Sequence, residues 1–482
     1  MLASQQAQAA QRRKKGWYHD LRLRLMKLLN VFLIVLPFVG CWLLYYSRHI
    51  LLPPSPWRSA GILFLFVLLY FYFGRVYDAF LLSLKRISEM FYSQALSVFM
   101  ADAFMLLTLW IVSGRFPYLP PALAALAGQL ALSLLWCKHA HIWYFHRFPG
   151  QKTAVIYDVH QEIERLIGQY GLGKKFAVQF SCSAEECLRQ GLDQLQGLDA
   201  VFLCGVHSHE RNTILKYCVE NGVGVYVIPR TGDIIMSGAQ RLHLFHLPML
   251  RVGRFNPTPE YVLIKRGFDI LVSVAVLLVL SPLMLALALV IKAQDGGPVL
   301  YRQTRLTKDG RTFEILKFRS MRTDAEKDGA RLSSGKDDDR ITPVGRFIRA
   351  CRLDELPQMF NILKGEMSVV GPRPERPEIA RQYEQELPEF SLRLQAKAGL
   401  TGYAQVYGKY NTRPYDKLQM DLMYIASASL IEDLKIIFAT LQILFMPEST
   451  EGIEAGQTTA MAEDGFVQTA SNAPEKKKEN IA

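Results

Sequence analysis

The sequence predicts a membrane protein of mixed class, α plus α/β, and three observations carry that expectation. Four apolar stretches, near residues 26–46, 60–73, 94–112 and 119–137, approach the length of about 20 residues that a membrane helix needs. Residues 150–250 then switch to short apolar runs separated by polar helical stretches, the rhythm of βα units. Finally, an uncharged run extends from Ile270 to Ile291 with Ser281-Pro282 in its middle. A chain of 482 residues allows about three domains. Its net charge of +12 suits a surface facing anionic lipid head groups or phosphorylated substrates. No nucleic-acid partner is expected, because the charge accompanies apolar segments and no nucleic-acid motif occurs.

Taken in order, residues 1–24 form a basic cytoplasmic N-terminus with Arg12, Arg13, Lys14, Lys15, Arg22 and Arg24. Residues 25–147 are expected to form a four-helix transmembrane bundle. Seven Lys/Arg lie in residues 1–27, and Arg75, Lys85, Arg86, Lys138 and Arg147 lie in the other loops on that side. The opposite loops carry only Arg48, Arg58 and Arg115, a bias that puts both ends of the bundle in the cytoplasm. Tyr45, Tyr46, Trp57, Trp110, Trp136 and Trp143 suit interfacial belts, and Asp102 is an acid inside the third stretch that either functions or faces the bundle interior. The first apolar run has no small-residue cleavage site after it, so no secretory signal is expected.

In residues 150–252 the runs TAVIY (153–157), FAVQF (176–180), AVFLC (200–204) and GVYVI (224–228) predict a small parallel sheet. The turn after the first reads YDVHQEIERL, without the G-x-G-x-x-G of a dinucleotide site, so a regulatory or scaffold role is expected. His207-Ser208-His209-Glu210 reads as a solvated loop at a strand end. The seven cysteines form no CxxC pair and read as reduced thiols. At Pro282 a helix loses a backbone donor and must kink or break, leaving halves of roughly 20 Å that are each too short to span. Lys265, Arg266 and Lys292 place basic charge at both ends of the run. A hairpin re-entering on one face and a kinked spanning helix both fit this segment. A compact domain follows at about 294–447, and residues 448–482 read as a disordered tail.

Four clusters in 300–403 carry chemistry: FEILKFRSM (313–321), TPVGRFIRACRLDELPQMFNILKGEMS (342–368), VVGPRPERPE (369–378) and AGLTGYAQV (398–406). In a strand Lys317 and Arg319 point the same way and form a paired cationic face. Asp354 and Glu355 are adjacent, so they cannot flank a sugar ring as a glycosidase pair does. Pro357 marks a helix start and sets both carboxylates at its N-terminus. Arg349, Arg352, Arg373 and Arg376 surround them in sequence. Carboxylates among arginines fit phosphoryl transfer better than a carboxylate-only metal cage. A salt-bridged surface helix start is the bland alternative for such a pair taken alone.

Together the clusters resemble one family. Residues 265–447 look like the bacterial sugar transferases, polyprenyl-phosphate phosphoglycosyl transferases with a monotopic catalytic domain. The matching residues are Lys265, Arg266 and Asp269 with Ser281-Pro282, then Lys317-Phe318-Arg319 and Leu353-Asp354-Glu355-Leu356-Pro357-Gln358. Asn361, Leu363-Lys364-Gly365, Gly371-Pro372-Arg373-Pro374, Gly399-Leu400-Thr401-Gly402 and Asp433-Leu434-Lys435 follow in the same order. Two positions depart from the family pattern: Arg352 stands where serine is common, and Ala398 where proline is.

The resemblance implies a long form: four transmembrane helices, a degenerate Rossmann-like domain at 150–252, and a mostly helical α+β catalytic domain at 262–447 with a re-entrant helix at 268–292. It implies transfer of a sugar-1-phosphate from a UDP-sugar to undecaprenyl phosphate, releasing UMP, with Mg2+, as the first step of exopolysaccharide, capsule or O-antigen assembly. Asp354 takes the role of nucleophile through a phosphosugar-aspartate intermediate. Glu355 assists as a Mg2+ ligand with Asp354 or in proton handling. Lys317, Arg349 and Arg373 grip phosphates, with Arg319 and Arg376 as further substrate contacts. Both substrates meet at the inner face of the bacterial cytoplasmic membrane, so a fifth crossing would carry Asp354 away from its donor. The re-entrant hairpin, broken at Ser281-Pro282, is therefore the expected form, in contact with inner-membrane lipid. A homodimer is expected by analogy with long family members. The competing expectations are a membrane glycosyltransferase releasing UDP and a non-catalytic scaffold for polysaccharide assembly. No stretch reads as a code for the sugar.

Overall fold

A computed structural model describes residues 2–49, 55–158, 163–322, 340–408 and 412–444; the expected tail at 448–482 lies outside them. The described residues are mostly helical and include five helices long and apolar enough to cross a membrane; the chain divides into units Met1–Pro229 and Arg230–Ala482.

The first unit opens with α1, Leu2–Cys41, which continues through Trp42–Tyr46 to His49. Helices α2 (Pro56–Val76), α3 (Ile87–Ser113) and α4 (Leu119–Arg147) follow. Prolines open α2 and α4, where a missing N–H leaves no bond unmade. One buried polar network joins all four. Tyr70 of α2 donates to Asn30 of α1 at 2.7 Å, Asn30 donates to Gln94 of α3, and Ser133 of α4 donates to the same Gln94 oxygen. Hydropathy patterns hide this network, because each helix contributes only one or two polar residues to it.

Four strands come next: β1 (Gln151–Tyr157), β2 (Phe176–Ser183), β3 (Ala200–Cys204) and β4 (Gly224–Ile228). They pair in parallel in the order β2-β1-β3-β4. Ala154 and Ile156 of β1 enter one core and Val155 enters another, so apolar residues cover both faces, as a parallel sheet requires. His207 precedes helix Ser208–Glu220, and its N–H donates to Asp158. The His207–Glu210 run is thus a helix start and not a loop.

In the second unit, helix Thr231–Ser237 places Ile234 in the core. Strands β5 (Gln240–Leu244) and β6 (Leu247–Arg251) form an exposed hairpin that turns at Phe245-His246, both with positive φ. The long helix Pro259–Asp295 begins at Thr258, whose hydroxyl accepts from Tyr261 N–H, and ends at Gly296 in the left-handed region. It runs unbroken through Pro282. The expected half-helices are one helix, because the Ser281 hydroxyl donates to the Leu278 carbonyl that proline leaves unpaired. Strands β7 (Leu300–Leu306) and β8 (Thr312–Phe318) form an antiparallel hairpin. Helix Pro343–Ala350, a tight turn Leu353–Glu355 and helix Gln358–Lys364 lead to β9 (Ser368–Val370), which pairs in parallel with β10 (Gly399–Thr401). Helices Pro377–Glu386, Pro414–Ser427 and Leu430–Leu444 close the core around Ile362, Val370, Leu418 and Ile436.

Candidate active site

The site is built where β8, the turn Leu353–Glu355 and the Gly371–Glu375 segment meet. Lys317 lies on the same face of β8 as the buried Phe313 and Ile315, so its side chain enters the domain. Its ammonium donates to Glu355 Oε1 at 2.8 Å. Arg373 Nη2 stands 3.8 Å from the same oxygen and remains about half exposed. Arg352, immediately before the turn, adopts φ +53, a strained conformation for a side-chain-bearing residue. That reversal lets helix Pro343–Ala350 end and the dyad begin within a few residues.

The two carboxylates have opposite electrostatics. Burial works against ionisation of Glu355, but Lys317 and then Arg373 overcome it and hold the group down to about 2. Burial pushes Asp354 up to about 6, opposed by Lys317 and Arg349 and reinforced by the charge of Glu355. Among the described residues no side-chain hydrogen bond to Asp354 is found, and its own backbone amide donates to it. The arrangement therefore offers one committed carboxylate and one uncommitted, partly accessible one beside it.

Asn361 fixes these parts in register. It sits one turn and a half beyond Glu355, accepts from Leu316 N–H at 3.0 Å and donates to the Glu314 carbonyl at 2.7 Å. β8 is thereby clamped to helix Gln358–Lys364 one residue before Lys317. Arg266 caps the other end of that helix, donating to the Ile362 and Leu363 carbonyls. Asp269 accepts from Ser368 and from Val369 N–H, and Lys265 pairs with Asp433 at 2.7 Å. The Lys265, Arg266, Asp269 and Asp433 positions are thus buttresses of the site. The glycine motifs have an equally physical cause. A Cβ on Gly399 or Gly402 would run into the Gly371 backbone, so the two segments approach too closely for any side chain.

Not all residues singled out from the sequence arrive here. Arg319 leaves Lys317: β8 ends at Phe318, and Arg319 turns into the interior to pair with Asp295 at the end of the long helix. The paired cationic face does not form. Arg376 caps helix Pro377–Glu386, and its charge bears on Arg305. In the sequence Asn361 is a motif residue without an evident role, and Arg393 and Asp421, which pair in the interior, carry no local signal at all.

Among the described residues no three His, Cys, Asp or Glu side chains gather as a metal cage. Two adjacent carboxylates, one uncommitted, fit a hard cation that completes its shell with substrate phosphates and water. Beside the dyad, an apolar cavity of about 640 Å³ is lined by Leu277, Met284 and Ala288 of the long helix with Phe318, Pro357 and Phe360.

Residues 260–447 match the family model described as bacterial sugar transferase. The chain is 39% identical over 238 residues to an Aeromonas hydrophila UDP-N-acetylgalactosamine-undecaprenyl-phosphate N-acetylgalactosaminephosphotransferase, covering 49% of this chain and 55% of that protein. It is 43% identical to a Klebsiella pneumoniae UDP-glucose:undecaprenyl-phosphate glucose-1-phosphate transferase, covering 44% of each. A Caulobacter vibrioides protein named for the same glucose reaction is 39% identical, with 42% of this chain covering 76% of it. The chain spans about half the length of the first two relatives.

Proposed function

This chain belongs to the bacterial sugar transferase family, and from that premise we propose that it moves a sugar-1-phosphate from a UDP-sugar to undecaprenyl phosphate and releases UMP. The observation that carries the reading is the asymmetry of the dyad: Glu355 is held by Lys317 and Arg373, while among the described residues no side chain bonds to the Asp354 carboxylate.

Asp354 attacks the phosphorus that bears the sugar. A carboxylate O–P bond forms, the bond from that phosphorus to the bridging oxygen breaks, and UMP departs with the electron pair. A phosphate oxygen of the lipid acceptor then attacks the phosphosugar-aspartate, forming the diphosphate and returning Asp354 as a carboxylate. Lys317, Arg349 and Arg373 supply positive charge to the phosphate oxygens during both displacements. Glu355 keeps Lys317 and Arg373 in place. A bound Mg2+, held by Asp354 and Glu355, would supply further charge neutralisation on the phosphates.

Placement at the cytoplasmic face of the inner membrane, in contact with its lipid, completes the reading. Arg266 and Asp269 near one end of the long helix, and Ile291 and Asp295 near the other, all pack on the same unit. A helix crossing about 30 Å of hydrocarbon would carry its ends to opposite faces. Shared packing of both ends supports a re-entrant helix, and the apolar cavity lined by Leu277, Met284, Pro357 and Phe360 suits an isoprenyl chain. The relatives named for glucose and for N-acetylgalactosamine leave the sugar open.

The deciding experiment incubates the purified chain, undecaprenyl phosphate and a panel of UDP-sugars, and identifies the nucleotide released. UMP release lost in Asp354→Asn, with a phosphosugar adduct trapped on the parent, is the expected result. UDP as the product would identify the competing glycosyltransferase. Transfer unchanged in Asp354→Asn would remove Asp354 as nucleophile. A homodimer is read from the mass of the chain in nanodiscs.

A further inference from the structure

The segment Pro372–Glu375 carries Arg373 to the dyad, yet it cannot hold itself. Pro372 and Pro374 have no backbone N–H, and the segment forms neither helix nor strand. Each of its four carbonyls is instead taken by a donor from elsewhere. Gly399 N–H reaches Pro372 at 2.9 Å and Leu306 N–H reaches Glu375 at 2.9 Å. Arg305 donates to Pro374 at 3.1 Å, and Arg393 Nη2 donates to Arg373 at 2.7 Å. The carbonyl of the residue that faces the dyad thus depends on one side chain.

That side chain is itself clamped. Arg393 is 3% exposed and Asp421 1% exposed, and they meet through Nε at 2.8 Å and Nη2 at 2.6 Å. Arg393 Nη1 also stands 3.7 Å from Glu375, the neighbour but one of Arg373. A buried ion pair often contributes no more stability than apolar residues of the same volume would. An apolar pair here, however, could not bond the Arg373 carbonyl.

We infer that Arg393, oriented by Asp421, is a positioning residue: it sets the direction in which Arg373 leaves the backbone, and so places the cation that faces Glu355 and the donor phosphates. The inference rests on the phosphosugar-transfer reading above. Neither residue touches the reacting atoms.

A double-mutant cycle on the full-length chain in nanodiscs tests it, with UMP release from the UDP-sugar that the parent turns over. Arg393→Lys keeps a cation against Asp421 but cannot grip Asp421 and reach the Arg373 carbonyl together. Alone it is expected to lower kcat/KM on the order of 10- to 100-fold, as misplacement of a phosphate contact does. In an Arg373→Ala background the same change is expected to cost less than about threefold, because residues acting through one another are not additive. Additive losses would overturn the inference, since a merely structural role lowers folded yield without coupling to Arg373. Asp421→Asn, which keeps the shape of the pair, is run in the same cycle; if Arg393→Lys fails to fold, this variant decides alone. A parent that releases no UMP defeats the reading of function and the inference with it. A parent that releases UMP and gives additive cycles defeats the inference only.

Discussion

Asp354 is less stable as a carboxylate in the folded chain than in water, and that has two measurable consequences. Burial raises it from an ordinary 3.8 to about 6, so below that pH it carries a proton and cannot attack phosphorus. The kcat/KM profile is therefore expected to show an acid limb near pH 6, falling about tenfold per unit below it. Lys317 is the largest influence holding the carboxylate down, so Lys317→Met should move that limb to higher pH; an unmoved limb would separate Lys317 from Asp354. The second consequence concerns stability. A carboxyl with a raised folded pKa favours the folded state fully only below its unfolded value, and that contribution is lost as pH rises through about 6. At pH 7.5 the charge is a liability, and Asp354→Asn is expected to stabilise the chain by roughly 1–2 kcal/mol while abolishing transfer. Thermal unfolding of the two proteins checks the sign. Glu355 has the opposite sign, since its depressed carboxyl stabilises the fold until pH falls through about 2.

At the scale of elements, two short devices set the site. Asn361 joins β8 to helix Gln358–Lys364, and Asn361→Ala would leave the Leu316 N–H and the Glu314 carbonyl unpaired. A loss of roughly 2–4 kcal/mol is expected, with lower kcat/KM because Lys317 loses its register against Glu355; denaturant unfolding and UMP release measure the two. The second device is Ser281-Pro282. Ser281 repairs the bond that Pro282 removes, so helix continuity is preserved while the ring still crowds the preceding turn. Pro282→Ala should favour a straight helix. Cysteine labelling from either side of the membrane is expected to find part of the catalytic unit displaced and transfer reduced; an active variant with unchanged labelling would rule out the kink as the cause of re-entry.

For the whole molecule, the residues of the site all lie in the unit Arg230–Ala482, and the family match covers 260–447. A chain beginning at Arg230 is therefore expected to keep UMP release within about tenfold of the full-length protein when reconstituted in nanodiscs, because Lys317, Arg349 and Arg373, which bear on the dyad, all lie in this unit. Loss of all transfer in a folded truncated chain would give residues 1–229 a direct part in the reaction. Membrane attachment should survive the truncation, since the long helix alone carries an apolar stretch with Leu278, Val279, Leu285 and Leu289 largely exposed.

The sequence by itself determined the apolar helices, the four parallel strands, the adjacency of Asp354 and Glu355, and the proline inside the long helix, because each is written in neighbouring residues or in a period of two or about four. The same rule misplaced Arg319: a period of two holds only within a strand, and β8 stops one residue earlier. Only the tertiary structure decided which partner each charge takes. Lys317 to Glu355, Lys265 to Asp433 and Arg393 to Asp421 join positions 38, 168 and 28 residues apart, and the two glycine segments meet backbone to backbone. Spacing along a chain encodes what one helix or strand can present; which buried charge meets it depends on how those elements pack.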